Sequence, residues 1–186
     1  ILATIISTTG STPASALSKM LVKQDGVISV GTVGGGCMEG DVALHANRLY
    51  HSGKAEIMKF HLNKDDVEHG LICGGSLDVL IEPITKAQLP LIEQLTLLRD
   101  NGHDCVIATL IDNDGTVREK VIVPDNSSTA IGLASRISYP SSNLAELVEH
   151  TYRRQETQRL RLTNAELILE PVTGTPSLVI FGGGHV

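Results

Sequence analysis

Two short turns that contain Asp-Gly constrain the fold of this chain more than any other feature. Asp25-Gly26 and Asp114-Gly115 each lie between two apolar, β-branched runs. Asp-Gly between such runs is a strong hairpin signal, because glycine adopts the backbone conformations that tight turns require. The predicted strand pairs are Lys19–Lys23 with Val27–Val30, and Cys105–Ile111 with Thr116–Val123.

Further strands and three helices are predicted from the spacing of the apolar residues. The best-specified helix spans Cys37–Ser52, where Met38, Val42, Ala46 and Leu49 share one face and Gly53 is placed to end the helix. The other helices are Leu89–Asn101, with either Thr85 or Pro90 marking its start, and Asn143–Arg154. The other strands are Ala3–Thr9, Ala55–Leu62, Leu77–Ile84, one or two within Arg159–Pro171, and Leu178–Phe181. Strands and helices do not alternate strictly, so we expect an α+β fold, a mixed sheet with flanking helices.

Composition narrows the classes of function. The chain has 186 residues and a net charge of −6, without a basic run, which argues against nucleic acid as a partner. No apolar stretch is long enough to cross a bilayer, and no signal peptide is visible at the start, so no membrane partner is expected. The three cysteines are an odd number and far apart, which favours a reducing, cytoplasmic location over a disulfide framework.

The strongest chemical signal is the glycine-rich run from Gly31 to Asp41. Gly34, Gly35 and Gly36 precede Cys37, the first residue of the predicted helix. Glycines allow close backbone approach to a ligand, and a helix start adds N–H groups and a positive dipole end, so the run suits phosphate. A cysteine at this position is favoured as a thiolate, which can bind a soft metal or sulfur or act as a nucleophile. The alternative is a tight turn with a small buried cysteine.

Two further segments repeat parts of this chemistry. Cys73-Gly74-Gly75 again places a cysteine beside glycines, and a structural bulge with a second buried cysteine is the alternative. Residues 9–13, including Ser11, form a hydroxyl-rich turn that could bind an anion with help from Lys19, although such a sequence is usually a plain turn. We expect Cys37 and Cys73 to serve one site. No C-x-x-C or H-E-x-x-H motif is present.

The last residues predict the start of a second unit. An apolar strand, Leu178–Phe181, runs into Gly182-Gly-Gly184, which is how a dinucleotide-binding βαβ unit begins, although this match is weak without the following helix. We therefore divide the chain into residues 1–172, an amino-terminal domain, and residues 173–186, a linker and the first strand of a truncated Rossmann-like domain.

These segments, in this order, resemble the XdhC/CoxI family of xanthine dehydrogenase accessory factors. The resemblance is carried by Gly10–Pro13, Lys19–Val22, Gly31–Gly40, Cys73–Gly75, Glu82-Pro83 and Gly182–Val186. It implies a cytoplasmic protein that binds the molybdenum cofactor (molybdopterin) and helps to provide its sulfurated form. The cofactor would pass to a xanthine-dehydrogenase-like apoenzyme, with a cysteine desulfurase as sulfur donor and a homodimer as an expected assembly.

The resemblance also implies which residues act. Cys37 and Cys73 would be the catalytic residues and metal ligands. The cofactor-binding residues would be Gly34, Gly35, Gly36, Cys37, Glu39, Gly74, Gly75, Ser11, Lys19, Gly182 and Gly184. An accessory protein is favoured over a catalyst. The alternatives are an oxidoreductase or xanthine dehydrogenase subunit that binds NAD(P) or another nucleotide through the Rossmann segment, and a purely structural or interaction domain.

Overall fold

The computed structural model describes residues 1–62, 74–124, 128–179 and 181, and within them nine strands form two sheets. The first sheet has the order β3-β2-β1-β5-β4 and the second the order β7-β6-β9-β8. The strands are β1 Leu2–Thr9, β2 Lys19–Val22, β3 Ile28–Gly31, β4 Glu56–His61, β5 Ser76–Glu82, β6 Cys105–Asp112, β7 Val117–Pro124, β8 Gln158–Arg161 and β9 Ala165–Val172. The helices are α1 Cys37–Ser52, α2 Leu89–Asp100, α3 Ser128–Arg136 and α4 Ser141–Arg154.

The α+β class is confirmed, but the arrangement of strands differs from the prediction. Instead of one mixed sheet there are two, and every strand pairing that the structure describes is antiparallel. The reason lies in the connections. Both Asp-Gly turns close hairpins, and a parallel pair needs a much longer crossover, usually through a helix.

The first sheet carries α1 on its outer face. The helix buries its predicted stripe, Met38, Val42, Ala46 and Leu49, against Ile5, Met20, Val79 and other side chains of the sheet. Gly53 ends the helix in the left-handed conformation, with φ of 67°, and its N–H is bonded to the carbonyl of Leu49. The sequence prediction of this helix is therefore confirmed from its first residue to its last.

The second sheet is covered by α3 and α4, which pack on its outer face. Helix α3 is not among the helices predicted from the sequence, because the segment 126–142 is rich in serine, a residue more typical of turns and caps than of helix interiors. Its signal is nevertheless present: Ala130, Leu133 and Ala134 are all buried and lie at helical spacing. Helix α4 begins at Ser141, two residues before the predicted start.

Both start signals before α2 are used. Thr85 and Gln88 form a capping box around a short 3₁₀ turn, Lys86–Gln88, and α2 then begins at Leu89 with Pro90 in its first turn. The proline lacks an N–H, which is harmless at this position because the first helical N–H groups have no partner inside the helix. The capping box and the proline therefore act on two consecutive segments and do not compete.

The inner faces of the two sheets pack on each other. Their apolar contact is a small cluster of five buried side chains, namely Ile6, Ala55, Leu80, Ile111 and Ile168. The molecule is thus layered as α1, first sheet, second sheet, and the α3–α4 pair.

Charged side chains surround this apolar contact and join the sheets. Lys120 on β7 pairs with Glu82 on β5, and Lys19 on β2 pairs with Glu170 on β9 at 2.6 Å. Arg159 on β8 bridges Asp78 of the first sheet and Glu166 of its own sheet. Burial alone would lower the pKa of Arg159, but its hydrogen bonds to Glu166 and Asp78 raise that pKa above its ordinary value.

The segment after β9 leaves the layered fold beside the end of α2. Gly174 donates its N–H to Asp104, and Thr175 donates to the carbonyl of Arg99. Beyond it, Leu178, Val179 and Phe181 are exposed and lie in no strand, so the predicted strand is not formed at these positions. A strand is stabilised by a hydrogen-bonded neighbour, and no described strand pairs with this segment.

Gly182 and Gly184 lie outside the described residues, and the domain division stays a prediction. Within the described residues, no helix is long and apolar enough to span a membrane.

The ion pairs between the sheets predict that breaking a buried pair lowers stability more than breaking an exposed pair. Glu82 is 2% exposed, so Lys120→Met leaves a buried carboxylate without its cation, and we expect a loss of about 3–5 kcal/mol in the free energy of unfolding. The matched control is Lys54→Met, which breaks the exposed Lys54–Asp114 pair and should cost far less stability, because water and salt screen exposed charges. Urea denaturation measures both. Equal losses in the two variants would contradict this account, as would failure of Glu82→Gln to restore stability in the Lys120→Met background.

Candidate functional site

The predicted site residues of the first sheet collect at one of its edges, because of strand direction. Strand β1 ends at Thr9, which pairs with Ser76 at the start of β5. Strand β2 begins at Lys19, and β3 ends at Gly31, which pairs with Met20. Antiparallel pairing therefore brings the ends of β1 and β3 and the beginnings of β2 and β5 to the same edge. Helix α1 begins there as well, shortly after β3.

The turn at residues 10–13 lies at the centre of this edge and touches two glycine segments. A Cβ atom built at Gly34 would lie 2.9 Å from Cγ of Pro13. One built at Gly75 would lie 2.3 Å from the carbonyl oxygen of Ser11 and 2.5 Å from that of Thr9. Side chains at these two positions would clash, so glycine allows the segments to approach. We call these three segments, residues 10–13, 34–37 and 74–75, the glycine edge.

The start of α1 presents free backbone donors at the glycine edge. Gly36 precedes the helix, and no side chain caps it. Within the described part of the chain, the N–H groups of Gly36, Cys37 and Met38 donate to no protein acceptor. A Cβ atom at Gly35 or Gly36 would meet nothing within 4 Å, so open space lies beside them. Free N–H groups at the positive end of a 16-residue helix can bind an anion.

Glu39 and Thr32 hold the loop in this shape. The carboxylate of Glu39 accepts the N–H of Gly35 at 3.2 Å and the hydroxyl of Thr32. The Thr32 hydroxyl also accepts the N–H of Gly34 at 3.1 Å. Glu39 was predicted to contact the cofactor, and the structure places it against the loop. Thr32 was not singled out from the sequence, although a threonine two residues before a glycine is a known turn signal.

Cys37 is the first residue of α1 and is exposed and free. The alternative in which it is a small buried cysteine is therefore wrong. Cys73 lies outside the described residues, so the prediction that the two cysteines serve one site stays a prediction. Its neighbour Gly74 is described, and the carbonyl oxygen of Gly74 would be 3.5 Å from a Cβ at Gly10, so this segment reaches the glycine edge. Among the described residues, no group of three or more His, Cys, Asp or Glu side chains could hold a metal ion.

The remaining predicted residues differ in where their side chains lie. Ser11 is exposed in the central turn. The backbone of Lys19 lies beside the loop that leads to the glycine edge, since its carbonyl accepts the N–H of Thr32 at 2.9 Å. Its ammonium group instead bonds to Glu170 between the sheets and approaches the Thr4 hydroxyl at 3.5 Å. Lys19 thus has an anionic partner within the protein.

Cys105, unlike Cys37, is buried. It is 1% exposed, at the start of β6. Burial raises the pKa of its thiol to about 11, and the carboxylates of Asp104 and Glu170 add to the rise. Cys105 is therefore a core residue.

The model of the XdhC and CoxI family matches residues 1–61, which confirms the resemblance drawn from the sequence motifs. The matched segment contains the central turn, the glycine loop and all of α1. No curated protein sequence matches the chain.

Among solved structures, the chain is similar to the crystal structure of a xanthine dehydrogenase from Bacillus halodurans. The identity is 26%, and the TM-score is 0.59. The match covers 68% of this chain but 38% of the Bacillus protein. The chain therefore corresponds to well under half of that protein's length.

The close contact at Gly75 predicts a large effect from one methyl group. Gly75→Ala should destabilise the fold by about 1–3 kcal/mol, because the new Cβ meets backbone oxygens that cannot move independently of β1. Gly40→Ala is the control: Gly40 lies in α1 with open space around it, and alanine should stabilise the helix by about 0.5–1 kcal/mol. Thermal unfolding of both variants is the measurement. If Gly75→Ala were as stable as the parent, the close approach would be refuted.

The cysteines predict a pattern of chemical labelling. In a Cys73→Ser background, iodoacetamide at neutral pH should modify Cys37 in the folded protein and leave Cys105 intact, because Cys105 is buried and its pKa is about 11. Mass spectrometry locates the label. Adding urea should expose Cys105 and give a second modification. Labelling of Cys105 in the folded protein at the rate seen for Cys37 would be inconsistent with the structure.

Proposed function

We propose that this chain is the cofactor-binding part of an accessory protein that binds the molybdenum cofactor and delivers it to xanthine-dehydrogenase-type enzymes. The observation that carries the proposal is the start of α1, where free N–H groups and an exposed thiol lie beside open space. The family match over residues 1–61 and the similarity to a protein named as a xanthine dehydrogenase support the same assignment.

The glycine edge suits the phosphate end of this cofactor. The N–H groups of Gly36, Cys37 and Met38 are donors without protein acceptors among the described residues, and a phosphate oxygen is an acceptor that such donors bind well. The open space beside Gly35 and Gly36 leaves room for the group to approach the backbone. Side chains at these two positions would fill that space, which is a functional reason for glycine there.

Glu39 and Thr32 contribute by positioning the loop. Their hydrogen bonds take up the N–H groups of Gly34 and Gly35, which leaves the three donors at the helix start for the ligand. A loop that is held before binding loses less conformational entropy on binding. Glu39 is therefore proposed as a positioning residue, rather than one that contacts the anion.

Cys37 supplies the soft donor that a molybdenum–sulfur centre prefers. The bound cofactor would supply the metal and its sulfur, while this chain supplies the thiol and the backbone donors. Cys73, one residue from Gly74 at the same edge, is proposed as the second thiol. Exposure of Cys37 also permits contact with a sulfur donor such as a cysteine desulfurase and with the apoenzyme that receives the cofactor. A cytoplasmic location and a homodimer remain parts of this proposal.

The test measures cofactor retained by the full-length protein. After expression in a host that makes the cofactor, the parent should carry molybdenum, detected by metal analysis, and pterin, detected by fluorescence. Cys37→Ser should retain about a tenth or less of the molybdenum, because serine has a similar size but is a poor ligand for a soft metal. Asp41→Asn, one turn further along the exposed face of α1, is the matched control and should retain the parent's content.

Two outcomes would contradict the proposal. One is equal molybdenum content in Cys37→Ser and the parent. The other is a parent protein that carries no pterin but oxidises or reduces NAD(P), which would favour the oxidoreductase alternative.

A further inference from the structure

A second concave site lies in the layer formed by the second sheet and its helices. It is a cavity of about 510 Å³ between the end of α3, β7 and the turn that joins β8 to β9. Its volume is within the range of small-molecule sites. The glycine edge belongs to the first sheet and α1, and the two sites share no residue.

Three arginines line this cavity, although the whole chain has a net charge of −6. Arg118 comes from β7, Arg136 from the last turn of α3, and Arg161 from the end of β8. They are distant in sequence, so the fold itself brings them together. Three guanidinium groups around one cavity repel one another unless anions lie between them.

Two of these arginines are held by carboxylates outside the cavity lining. Arg118 binds Asp112 through Nε and Nη2, and Arg136 binds Glu119 through the same two nitrogens, at 3.0 and 2.6 Å. Their Nη1 groups are engaged in none of these bonds. Each pair fixes the plane of its guanidinium and leaves donors available, which is a typical arrangement for positioning an arginine.

Arg161 is the uncompensated charge. It is exposed, and its side chain makes no ion pair or hydrogen bond with any residue that the structure describes. Two of the three arginines are thus neutralised by bonded carboxylates, and Arg161 is left to bind a ligand, since Glu166, its cross-strand partner, is bonded to Arg159.

The rest of the lining combines polar and apolar groups. Ser138, Thr163 and Asn164 offer hydroxyl and amide groups, while Ile137, Leu162 and Tyr139 are partly buried against the core beneath α3 and α4. An anion with an apolar part matches this combination better than a bare inorganic ion, because the apolar part can bury surface against these side chains.

We propose that this cavity binds an organic phosphate monoester, with the phosphate on Arg161 and the Nη1 groups of Arg118 and Arg136. The apolar part of the ligand lies against Ile137 and Leu162. This proposal does not rest on the function assigned to the glycine edge.

Calorimetric titration with phenyl phosphate tests the proposal, with inorganic phosphate as the second probe. Phenyl phosphate should bind more tightly than inorganic phosphate, and its affinity should fall as salt is added. Arg161→Gln should weaken phenyl phosphate binding about tenfold. The matched control is Arg154→Gln, which removes the same charge from an exposed arginine at the end of α4 and should leave the affinity unchanged.

Three results would overturn the proposal. They are no measurable binding of phenyl phosphate to the parent, unchanged affinity in an Arg161→Gln variant whose circular dichroism matches the parent, and equal weakening in Arg154→Gln. If inorganic phosphate bound as tightly as phenyl phosphate, the apolar part of the assignment would be wrong.

Discussion

Close backbone approach at the glycine edge is the constraint on which the site depends. Thr9 and Ser11 come so near to Gly75, and Pro13 so near to Gly34, that a side chain at either glycine would clash. These contacts join loops that are far apart in sequence and place the start of α1 beside them. The chemistry proposed for the N–H groups and for Cys37 follows from that placement. An isolated glycine loop would have no neighbouring segments to hold it in one shape beside the start of α1.

The packing of the sheets explains why one predicted residue has a different role. Lys19 lies on the inner face of the first sheet, where it faces Glu170 across the interface. A strand alternates its side chains between two faces, so the same strand that directs Met20 into the α1 core directs Lys19 toward the second sheet. Lys19 is close in sequence to the predicted anion site, but the alternation of side chains along β2 directs its ammonium group to the opposite sheet.

The sequence predicted local structure well, and the reasons are specific. Asp25-Gly26 and Asp114-Gly115 fix hairpins through turn chemistry, and α1 has a full apolar stripe with a glycine at its end. The separation into two sheets could not be predicted, because it depends on Ile6, Leu80 and Ile168 meeting across an interface between segments remote in sequence. The arginine cavity was missed for the same reason: Arg118, Arg136 and Arg161 form no local motif.

The most direct test of the central claim is to observe the backbone donors themselves. In ¹H–¹⁵N correlation spectra of the protein, a pterin phosphate added in steps should shift the amide signals of Gly36, Cys37 and Met38. The amides of Gly102 and Gly26, which lie near the end of α2 and in the β2–β3 turn, away from both proposed sites, should not move. Saturable shifts of the three amides at the start of α1, with Gly26 and Gly102 unmoved, would support cofactor binding at the glycine edge. Shifts elsewhere with none at these three amides would contradict it.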